Sequence, residues 1–197
     1  MKGRAAALAA VLLLPSASLA QAHAVIDGIG GFSGGLLHPL LVPAHGLALV
    51  ALGCLISALN VRARLMVIGV FVAAAAICVV LVTMAFSARN SELVVLSLAG
   101  LTGLLLAAGL RVPLAVAVLV AMGVAAAVTL DSVPALLSAQ DTILSLAGTA
   151  LAAAFLLTAV AFLSAAGPQV WQRIGTRILG SWIAASAVMV LALRWAI

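Results

Sequence analysis

The sequence predicts an all-α membrane protein, a polytopic bundle of six transmembrane helices behind a cleaved signal peptide. Of its 197 residues 67% are hydrophobic and 7% charged, and the mean hydropathy is +1.43, values that do not describe a water-soluble domain. Its apolar runs lie near the roughly 20 residues that cross a hydrocarbon core as a helix. Short breaks carrying the few charges separate them, a pattern of helices and not of a barrel with alternating strands.

The first 22 residues have the three parts of a secretory signal: Lys2 and Arg4, then an apolar run over 5–14 too short to span, then small residues before a cut. Cleavage after Ala20 fits Ser18 and Ala20, whereas cleavage after Ala22 fits Ala20-Gln21-Ala22 and lies closer to the small-x-small rule. The second cut makes His23 the N-terminus and sets a free α-amino group beside an imidazole, two nitrogen donors on one residue. A flexible terminal residue is the ordinary alternative for that position. Residues 23–197 then form a single transmembrane domain.

The first span covers 43–59 and stops at Asn60-Val61-Arg62-Ala63-Arg64. The second covers 65–86, and the third 93–110. Arg111-Val112-Pro113 connects tightly to a fourth span that ends near Leu130, and Asp131 to Asp141 form the longest loop of the core. The fifth span covers 142–166. A break over 167–173 precedes the sixth, which begins about Ile178, with Trp171, Trp182 and Trp195 at or near its interfaces. Small residues such as Gly100, Gly103 and Gly123 suit tightly crossed helices.

Charge sets the orientation. Signal cleavage delivers the mature N-terminus to the outer side, and six spans return the C-terminus there. Arg62, Arg64, Arg111, Arg173 and Arg177 then face the cytoplasm while only Arg89 and Arg194 face outward, as the positive-inside rule requires. The bacterial inner membrane, with both termini periplasmic, is the expected location. The formal charge of +5 reads as membrane orientation, and no basic patch for nucleic acid exists. All four acids, Asp27, Glu92, Asp131 and Asp141, fall on the outer face with the three histidines, His23, His38 and His45.

Two of those histidines lie in one short run, His38-Pro39-Leu40-Leu41-Val42-Pro43-Ala44-His45, at the head of the first span. Ionisable groups at membrane depth are costly and rare, and imidazole suits nickel, copper, zinc and cobalt. On an unbroken helix seven residues rise roughly 10 Å, too far for two imidazoles to share one ion. Pro39 and Pro43 resist a continuous helix, so a break can fold the segment back and close the gap. Gly28, Gly30, Gly31, Gly34 and Gly35 just before it permit close helix contact or a re-entrant turn. The candidate metal ligands are therefore His23, His38, His45 and Asp27.

Gly31-Phe32, Gly34 or Gly35, His38-Pro39 and then His45 resemble the signature of the HupE/UreJ family of hydrogenase and urease accessory membrane proteins. That family's pattern is a His-Pro followed by an Asp-His pair at the head of the first span. Its histidines fall on His38 and His45, its aspartate on Ala44, and the glycine between Pro and Asp on Val42. Arg177-Ile178-Leu179-Gly180-Ser181-Trp182 is similar to the Arg-x-x-Gly-x-Trp stretch that opens the family's last helix. The resemblance covers essentially the whole mature chain. It implies a nickel permease serving metalloenzyme maturation, with Ni(II), or alternatively Co, Cu or Zn, as bound or carried ion and no tightly held cofactor.

Cys54 and Cys78 lie inside apolar runs, where a thiol packs as a small hydrophobe, and Ser57, Thr83 and Met84 are the other weakly polar groups of the first two spans. No nucleophile with a base and orienting carboxylate, and no phosphate loop, is present, so an enzyme is not expected. The partners expected are a metal ion and the lipid bilayer, with a homo-oligomer left open. The rival to transport is a membrane protein that binds, senses or presents metal, or scaffolds a partner, without moving the ion.

Overall fold

The computed structural model describes residues 31–84, 91–134, 137–166 and 169–196. Among the described residues there are seven α-helices and no strand: α1 Gly31–Leu41, α2 Pro43–Ser57, α3 Val61–Thr83, α4 Ser91–Ala107, α5 Leu114–Asp131, α6 Ala139–Ala166 and α7 Gln169–Ala196. The all-helical expectation holds. Four helices (α3, α5, α6 and α7) are long and apolar enough to cross a membrane, and α1 with α2 would make a fifth as one bent span. α4, at 17 residues, is a shorter apolar helix. The proposed signal segment lies outside the described residues.

α2 forms the centre, packed by α1, α3, α4, α5, α6 and α7. Leu49, Ala51, Leu52 and Ile56 are wholly enclosed, and from Ala48 onward it carries no polar side chain before Cys54 and Ser57. The outer surface is inverted relative to a soluble protein: Phe155 and Leu163 on α6 are each 75% exposed, with Ile77, Val80 and Trp182 also outward. Such a skin is stable only against lipid, and the chain is a membrane protein.

The prolines explain the break that sets α2 apart from α1. Val42 precedes Pro43, whose ring disfavours a helical residue before it, and Val42 is extended at φ −94 and ψ 106. Pro43 then fits the first turn of α2, where an N–H would be orphaned anyway. The two axes bend by 71°. Pro39, expected to resist helix, instead sits inside α1. Lacking an N–H it cannot bond the Gly35 carbonyl four residues back, and Thr149 of α6 donates to that oxygen at 3.2 Å. One such bond is worth about 1 kcal/mol and ties α1 to α6.

That seam depends on glycine. A Cβ built on Gly35 would stand 1.9 Å from the Ser145 carbonyl oxygen, and one on Gly148 would stand 2.3 Å from that of Phe32. No side chain fits either place, so the backbones of α1 and α6 touch. Gly103 and Gly180 serve the same purpose where α4 crosses α7, with a Cβ on Gly180 only 2.5 Å from the Cβ of Leu106.

Two expectations are corrected here. α7 begins at Gln169, about nine residues before the predicted Ile178, because Gln172, Arg173, Thr176 and Arg177 continue the helix as a polar first half instead of breaking it. Trp182 consequently lies mid-helix on the outward surface. Asp131, assigned to a loop, is the last residue of α5 and is buried, while Asp141 lies in the first turn of α6.

Candidate metal centre

His38 lies in the last turn of α1 and His45 in the first turn of α2, on opposite sides of the bend. Their ring centroids are 5.2 Å apart with the planes tilted by 57°. The chain break thus brings together two imidazoles that a straight helix would hold roughly 10 Å apart along its axis. With metal–nitrogen bonds of about 2.1 Å, two imidazoles on one ion at roughly 90–110° have centroids about 4.5–5.3 Å apart. The observed spacing fits.

His45 is fully buried, and its Nε2 meets Asp131 Oδ2 at 2.9 Å across 86 residues of sequence. The other carboxylate oxygen accepts a hydrogen bond from Ser91 Oγ at 2.8 Å. Asp131 is 6% exposed, and a carboxylate in such a place must be compensated. Three features do so: the imidazole N–H, the serine hydroxyl, and the N-terminal ends of α2 and α4, whose first turns carry His45 and Ser91 and whose dipoles favour negative charge. His45 Nδ1 is buried with no hydrogen-bond partner among the described residues.

The site therefore holds a paired histidine with a carboxylate behind one ring, the arrangement in which a carboxylate sets tautomer and orientation of a ligating imidazole. It is not a closed cage. Among the described residues no group of three or more His, Cys, Asp or Glu side chains is set to hold a metal ion. Two imidazoles would leave further coordination positions on an ion for water or other donors. His23 and Asp27, the remaining predicted ligands, lie outside the described residues.

The other two described acids have partners of their own. Glu92 pairs with Arg194, joining the start of α4 to the end of α7. Asp141 accepts from Ser138 Oγ at 2.8 Å while its N–H donates back to that oxygen at 3.1 Å, which closes the first turn of α6. All three nevertheless share one end of the bundle with His38 and His45. At the other end of α2, buried Arg64 donates to the carbonyls of Ser57 and Leu59 at 2.7 and 2.9 Å and to that of Ile56 at 3.4 Å. Its guanidinium lies 5.0 Å from the Phe162 ring centre. Cys54 Sγ approaches Ser164 Oγ at 3.6 Å nearby.

Both histidines are legible in the sequence, whereas the partner of one is not. Asp131 reads there as a loop acid of the outer face, and Ser91 carries no signal of its own. The available signal was that an acid closing an apolar span falls at the same end as His45.

A family model described as HupE / UreJ protein matches residues 10–190. The chain belongs to that family, and is a membrane protein of its metal-accessory or permease-like kind. No curated protein and no solved structure matches it.

Proposed function

We propose that this protein takes up a transition-metal cation, nickel foremost, across the bacterial inner membrane for metalloenzyme maturation. After signal removal the bent α1–α2 pair, α3, short α4, α5, α6 and α7 make six spans with both termini in the periplasm. His38 and His45 capture the ion at the outer mouth, and His23 and Asp27 collect it. The observation that carries this reading is the pair of imidazoles 5.2 Å apart across the bend, at the end of the bundle that also holds Glu92, Asp131 and Asp141. The test is uptake of Ni(II) by proteoliposomes. Metal should accumulate in the lumen beyond the amount of protein, and His38→Ala or His45→Ala should abolish accumulation. Retention that never exceeds stoichiometry would overturn it.

One observation favours a second reading, a membrane protein that binds and presents metal without moving it. Below His45 the central helix is lined by Ala48, Leu49, Leu52 and Ile56, all buried, with no polar side chain before Cys54. Stoichiometric retention in the same assay is its signature, and a competition series with Co(II), Cu(II) and Zn(II) identifies the ion.

A further inference from the structure

We infer that Asp131, reaching from the end of α5, is the positioning residue of the site: it holds the His45 proton on Nε2 so that the ion binds at Nδ1. The inference rests on the proposed capture of metal by His38 and His45, and assigns the atom and the helix through which capture is made.

A neutral imidazole carries one N–H and one lone pair, and the hydrogen bond made by one nitrogen decides which is which. Asp131 Oδ2, 2.9 Å from His45 Nε2, is an acceptor, so Nε2 is the donor and Nδ1 keeps its lone pair. Ser91 fixes the carboxylate in turn, because its hydroxyl occupies Oδ1 at 2.8 Å and leaves Oδ2 for the ring. The chain Ser91–Asp131–His45 joins α4, α5 and α2, three elements whose mutual packing locks the ring plane. Nδ1 is wholly enclosed, has no hydrogen-bond partner among the described residues and carries the lone pair. Leaving such an atom unmade is unfavourable, and a cation beside the neighbouring His38 ring would satisfy it.

Ala44, directly before His45, is buried and brings no carboxylate, so the one behind the imidazole comes from another helix. A ligand imidazole backed by a carboxylate is more basic and binds its metal about 10–100-fold better than one without. Assembly of α5 against α2 thus becomes a condition for metal capture.

The test uses the full chain in lipid nanodiscs with ¹⁵N-labelled histidine, Zn(II) as a diamagnetic probe and Ni(II) for affinity. In the metal-free protein His45 should show the Nε2–H tautomer, and Zn(II) should shift Nδ1 while Nε2 keeps its proton. Asp131→Leu should give mixed tautomers and at least a tenfold weaker Ni(II) affinity, whereas Asp131→Asn, which still offers an acceptor oxygen, should restore the tautomer and part of the affinity. Should Asp131→Leu fail to fold, the nitrogen assignment in the wild-type chain and the milder Ser91→Ala decide the matter. Zn(II) bound through Nε2, or a tautomer and affinity indifferent to Asp131→Leu, overturns this inference alone. A chain in which neither nitrogen of His38 or His45 responds to metal overturns the capture reading together with it.

Discussion

At its first turn α2 meets a carboxylate, Asp131 against His45, and at its last it meets a guanidinium, Arg64 against the carbonyls of Ile56, Ser57 and Leu59. Both charges suit the dipole of the helix they touch. The resemblance ends there. Arg64 directs its donors to backbone carbonyls and stacks on Phe162, and among the described residues none of its buried atoms lacks a partner. At the opposite end His45 Nδ1 has no hydrogen-bond partner among the described residues. A helix terminus that is fully satisfied is a structural joint; one that keeps a spare basic nitrogen beside a second imidazole can still bind something.

The contrast can be broken most severely by separating α1 from α6. Gly35→Val needs room that the Ser145 backbone occupies, so α1 must move and carry His38 away from His45. Thermal unfolding in detergent should show a loss of about 3 kcal/mol or more, together with loss of Ni(II) binding. Next comes the joint: Arg64→Ala orphans carbonyls and removes a cation from an aromatic face, and should cost about 2–4 kcal/mol of stability. Ni(II) affinity at the far end should change less than about twofold once the variant is folded, by the independence of distant sites. His38→Ala should do the reverse, with stability within about 1 kcal/mol for a half-buried ring but Ni(II) affinity down by roughly tenfold or more. The smallest effect is Ser91→Ala, which deletes one hydrogen bond to the Asp131 carboxylate and should weaken Ni(II) binding several-fold, in line with about 1 kcal/mol.

Hydropathy made the long helices legible, since burial in lipid demands continuous apolar length and charges collect at the breaks. A break in this segment is equally legible, because Pro43 constrains the residue before it, whereas Pro39 is accommodated inside α1. Local chemistry does not report partners. That Asp131 faces His45 depends on how α5 packs on α2, and nothing in the spacing of 86 residues encodes it. The early start of α7 escaped for a related reason: Gln172 and Arg173 read as a break on a hydropathy scale, yet polar residues extend a helix readily where it leaves the apolar layer. Asp131 itself reads as a loop residue because an acid marks the end of a span equally well from inside the helix or from the loop beyond.

X-ray absorption at the nickel edge, on the full chain loaded with one equivalent of Ni(II) in lipid nanodiscs, tests the capture site most directly. Imidazole scattering from two rings or more should appear, with nitrogens at about 2.1 Å, and one ring should be lost in His38→Ala and one in His45→Ala. A spectrum without imidazole scattering, or one that neither substitution alters, would contradict capture by these two histidines.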